Sequence, residues 1–112
     1  MSHVLLGAES VTFAFPSDQD KHESTPTVIK SLTPPKGTQL VSILLQGWSL
    51  RYSNGKQYGF SELGVMLSTV VQASKMDAVC VATLKDDKLD HKDRDWTGSV
   101  VGVVQFYGPA TA

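Results

Sequence analysis

The sequence predicts an all-β chain, folded as a single antiparallel β-sandwich of six or seven strands. Three observations carry that prediction. The segments "DAVCVATL" and "GSVVGVVQFYG" are rich in valine, which suits a pleated, half-buried surface. Elsewhere apolar and polar residues alternate with the period of two that a strand imposes. Glycine, proline and asparagine punctuate the chain between these segments, as turns require. The alternative is a small α+β domain with a helix near residues 61–74.

The elements follow in order. "HVLLGAESVTFAF" opens the chain as a strand, with Gly7 marking a bend or bulge. Val11, Phe13 and Phe15 share one face of it. "PSDQDKHESTP" is polar and bounded by Pro16 and Pro26, so residues 16–26 form a surface loop. "TVIKSL" is a short strand stopped by "TPPKG", whose two prolines cannot donate to a ladder. In "TQLVSILLQGWSLRY", Leu40 to Leu45 is almost continuously apolar, the pattern of a strand buried on both faces. Gly47 suggests a bulge, after which Trp48, Leu50 and Tyr52 alternate with polar residues.

Asn54-Gly55 tolerates the positive φ of a type I′ turn and predicts a hairpin, its return strand starting near "KQYGF". The next segment, "GFSELGVMLSTVVQASK", reads both ways. Phe60, Leu63, Leu67 and Val70 recur at helical spacing, with Ser61 placed to cap. Gly59, Gly64 and the β-branched run Thr69-Val70-Val71 favour extended structure, which is preferred. The two valine-rich strands close the chain, joined by a polar loop over about residues 85–96. A link of that length between adjacent strands exceeds the usual hairpin loop.

With 112 residues the chain has the size of one domain, taken as 1–112, and can bury one core. Ten cations meet eleven anions, so no basic excess points to nucleic acid. "MSHVLLGAES" lacks the apolar stretch of a signal peptide, and no apolar run reaches the ~20 residues that cross a bilayer. The expectation is a soluble cytoplasmic protein without a membrane partner. Cys80, the single cysteine, lies in an apolar run and is read as a buried, inert thiol rather than a nucleophile.

The loop "KDDKLDHKDRDW" concentrates the chain's polar chemistry. Asp86, Asp87, Asp90, Asp93 and Asp95 could supply a calcium ion with oxygens. Their spacing departs from the EF-hand pattern: Asp93-x-Asp95 is followed by Trp96-Thr97-Gly98, and no glutamate lies downstream. Four interleaved cations neutralise most of the charge, so the preferred reading is a solvated turn region. The histidines His3, His22 and His91 show no zinc spacing. His91 with a carboxylate could act as an acid/base pair, the basis of a small-hydrolase reading. Most aromatics belong in the core. Trp96 follows the charged loop, where it either anchors the loop or offers a ring face to a ligand. Trp96, Tyr58 and His91 are therefore the candidate ligand-binding residues.

Two stretches, "GWSLRYSNGKQYGFSELGV" and "VATLKDD…DRDWTGSVVGVVQF", together resemble small bacterial β-sandwich proteins of unknown function, of a kind met among environmental and mobile gene-cassette sequences. The resemblance covers about residues 47–106, with Trp96 at the aromatic position and Gly98 at the glycine of the late hairpin. More faintly, the chain resembles the six-stranded sandwich of the H-type lectins. Neither resemblance carries over a binding residue; both imply a fold, and a fold does not supply a function.

The functional expectation is a non-enzymatic binding or assembly module, lectin-like in one version, with a carbohydrate or small ligand as partner. Edge strands of a valine-rich sheet need cover, so a homo-oligomer is expected. A calcium-dependent module using the Asp-rich loop is the alternative, ahead of a hydrolase using His91.

Overall fold

The computed structural model describes residues 2–16, 26–52, 60–72, 74–86 and 96–110. These form six strands: β1 (His3–Phe15), β2 (Thr27–Leu32), β3 (Leu40–Tyr52), β4 (Phe60–Gln72), β5 (Lys75–Asp86) and β6 (Trp96–Pro109). Two antiparallel three-stranded sheets result, ordered β1-β6-β3 and β2-β5-β4. β1 lies across from β2, and β3 across from β4. The predicted sandwich is therefore the fold, and residues 60–72 take the extended alternative rather than the helical one. Packing decides this segment: Leu63, Val65, Leu67 and Thr69 fall at alternate positions opposite Leu84, Ala82, Cys80 and Ala78, which are the inward residues of β5.

Two expectations about connections are corrected. β3 and β4 lie in different sheets, so residues 53–59 join the sheets and Asn54-Gly55 does not close a hairpin between paired strands. Likewise β5 and β6 are not sheet neighbours. The Asp-rich link therefore connects one sheet to the other rather than two paired strands. Among the described residues a tight hairpin joins β4 to β5, where Gln72 pairs with Lys75 across two residues. Alanine and serine there carry none of the usual hairpin chemistry, so the sequence offers no signal for it.

The predicted bulges at Gly7 and Gly47 both appear as register shifts, between Leu5 and Gly7 in β1 and between Leu45 and Gly47 in β3. The core is built by three strands. Val11, Phe13 and Phe15 come from β1, and alternate residues of β5 and β6 fill the rest, including Met76, Cys80, Trp96, Val100 and Phe106.

Candidate functional site

Trp96 is fully buried, and its ring packs against Phe15 at 5.6 Å between centroids. It anchors the start of β6 in the core, and its ring face is not on the surface for a ligand. The geometry corrects the binding role considered for it. Thr97 Oγ1 donates to the Phe15 carbonyl at 2.9 Å, fastening the same end. Tyr58, His91, Asp87, Asp90, Asp93 and Asp95 lie outside the described residues, as does the side chain of Asp86, which ends β5 opposite Phe60. Among the described residues no three His, Cys, Asp or Glu side chains group together. Cys80 is buried, and desolvation pushes its thiol up to about 11, as expected of an inert core cysteine.

The surface feature that stands out is the flank formed by β3 and β4. Residues paired across a ladder share one face of the sheet, so the register identifies the inward positions. On β3 these include Val41, Ile43, Leu45 and Trp48, opposite Phe106, Val104, Gly102 and Val100. Val100 and Val104 are fully buried, yet Trp48 is 46% exposed and Leu45 48%. On β4 the inward Leu63 and Val71 are exposed as well. No described residue of β3 or β4 is fully buried. Among the described residues, eight of the twelve exposed large apolar side chains lie on these two strands; the others are Val4, Leu5 and Leu6 on β1 and Ile29 on β2. Val41, Ile43, Leu50, Val65 and Leu67 still pack, partly buried, against the core, so β3 and β4 cover it only in part.

This overturns two expectations. Leu40 to Leu45 is not buried on both faces, because β3 edges its sheet and Leu40, Leu44 and Leu45 are exposed. Trp48 is not a core aromatic. Neither Leu45 nor Met66 was a candidate site residue. No charge signal in the sequence finds them: β3 and β4 carry one charged residue each, Arg51 and Glu62, and so do β1 and β2, Glu9 and Lys30.

The opposite edges differ. Glu9 on β1 pairs with inward Val104, and Lys30 on β2 pairs with inward Ala78. Both are exposed. An inward-pointing charge on an edge, and a short edge strand such as β2, discourage further strand pairing.

A groove of about 560 Å³ adjoins the flank at one end. Residues 33–41 form most of it, with Val71 and Ser74 completing it. Its wall is preformed. The Thr38 N–H donates to the Pro35 carbonyl at 3.2 Å and the Thr38 hydroxyl donates to the same oxygen at 2.6 Å. Gly37 holds the positive φ of 92° that a type II turn needs at its third residue. The Gln39 N–H donates to the Tyr107 carbonyl at 2.7 Å, tying the turn to β6. The approach is close: a Cβ at Gly108 would lie 2.8 Å from the Gly37 carbonyl oxygen. The lining offers hydroxyls from Thr33, Thr38 and Ser74, the cation Lys36, and apolar surface from Leu40, Val41 and Val71. Among the described residues its lining holds neither a carboxylate nor a histidine.

Comparison with protein-family models, curated proteins and solved structures gives no match. Among the described residues no helix is long and apolar enough to cross a membrane.

Proposed function

We propose that this chain is a non-enzymatic binding and assembly module whose working surface is the β3–β4 flank. One observation carries the reading: these two strands add no fully buried residue to the core, and they hold most of the exposed large apolar side chains. Exposed apolar side chains concentrated on one side of a fold mark interaction sites on proteins. Trp48 at the centre of β3 supplies the large aromatic surface that dominates interface energetics. A protein partner fits this surface better than a carbohydrate. The exposed side chains beside Trp48 are aliphatic, whereas a sugar would need convergent polar groups to orient it.

The test is hydroxyl-radical footprinting in an extract of cells producing the protein, compared with purified protein diluted to nanomolar concentration. Leu45, Trp48 and Met66 are expected to label less in the extract. Equal labelling in both would sink the reading.

A further inference from the structure

We infer that the partner on the β3–β4 flank is a second copy of this chain, the two flanks meeting about a two-fold axis that runs along the sheet-stacking direction. This rests on the flank being the working surface, and it goes further by naming the occupant.

Four observations point to self-pairing. First, β3 and β4 are edges on the same side of the sandwich, each 13 residues long. A two-fold axis sets β3 antiparallel to its own copy and β4 antiparallel to its own copy, so both three-stranded sheets continue into six-stranded ones. Such an isologous contact needs only a self-complementary surface.

Second, charge permits it. Arg51 and Glu62 are the only charged residues of the two strands and have opposite sign, so a copy meets no block of like charge. The β1 and β2 edges, with Glu9 and Lys30 at inward positions, are guarded against the same event. The asymmetry between the two sides directs association to one of them.

Third, the exposed surface is large enough to include a standard interface. The chain exposes 7125 Å² at 12.1 kDa, where roughly 6,000 Å² is usual for a folded monomer. The excess is comparable to the ~800 Å² that each partner buries in a standard interface.

Fourth, Leu40 to Leu45 has the composition of a strand covered on both faces, while Leu44 and Leu45, which point to opposite faces, are both about half exposed. A second copy laid alongside β3 covers part of each.

Sedimentation velocity over a nanomolar-to-micromolar range tests this, with acrylamide quenching read on the same samples. Wild type is expected at twice 12.1 kDa at micromolar concentration, dissociating on dilution. Leu45→Lys with Trp48→Lys is expected to remain at the monomer mass. Met66→Lys, at a side chain 71% exposed and therefore safe for folding, is a second variant and is expected to weaken the dimer at least tenfold. A wild-type dimer whose affinity Met66→Lys leaves unchanged overturns the inference. A wild-type monomer overturns it too, and quenching then separates the two levels. If half of the tryptophan emission is quenched readily, the flank is open and awaits another partner. If neither tryptophan is accessible, the flank is closed and the binding reading falls as well.

Discussion

At the scale of single residues, the two tryptophans define the two sides of the molecule. Trp96 is fully buried against Phe15, while Trp48 is 46% exposed on an edge strand. Trp96→Ala is expected to cost about 3–5 kcal/mol, the usual range for emptying a buried aromatic site. Trp48→Ala is expected to cost about 1 kcal/mol, as for a half-exposed position. Urea melts at nanomolar concentration, where association does not contribute, check both. Cys80 gives a pH prediction. Its folded pKa, about 11, lies above the ordinary 9.0, so between these values the unfolded chain has lost a proton that the folded chain retains. The resulting stabilisation is complete below pH 9 and disappears as pH rises towards 11. Cys80→Ala is therefore expected to flatten the stability profile across that window. The thiol is also expected to resist alkylation at neutral pH until the chain unfolds.

At the scale of elements, glycine sets how closely β3 can approach β6. A Cβ at Gly98 would run into the Ser49 carbonyl oxygen and Leu50. Gly98→Ala is expected to destabilise by about 1–3 kcal/mol, the usual cost of overpacking, and to raise hydrogen exchange in β3 before β1. The edge charges give a second element-level prediction. Glu9→Val with Lys30→Val should promote association through the guarded side, seen as species larger than a dimer in light scattering. The strands themselves were legible in the sequence, since alternation at Val11, Phe13 and Phe15 and valine in β5 and β6 are local signals. Both bulges were legible from Gly7 and Gly47. Strand partners were not legible. Asn54-Gly55 has good turn chemistry, but the strands flanking it bury their inward residues in different sheets. The real hairpin at Gln72 and Lys75 has no such chemistry and is fixed by the pairing of β4 with β5. The flank escaped the sequence for the same reason: Leu45 and Trp48 look like core until the sheet order places them on an edge.

At the scale of the whole molecule, three-stranded sheets explain both the shape and the surface. With one central strand per sheet, four of the six strands are edges, and the body measures 58 × 21 × 19 Å. Long strands in so narrow a sandwich cannot bury every apolar inward position. The fold resolves this on one side by large aromatics on β1 and by charge at the edges. On the other side it leaves apolar rim positions such as Leu45, Trp48 and Leu63 partly exposed. Pairing of two flanks turns two edges into interior strands and covers that rim. The most direct measurement is amide hydrogen exchange, compared at micromolar and nanomolar protein. The expected result is slow exchange in β3 and β4 at the higher concentration and fast exchange on dilution, with β1, β5 and β6 unchanged. Exchange in β3 and β4 that is independent of concentration, or as slow as that of β6 in the dilute sample, would contradict a partly exposed flank closed by a second copy.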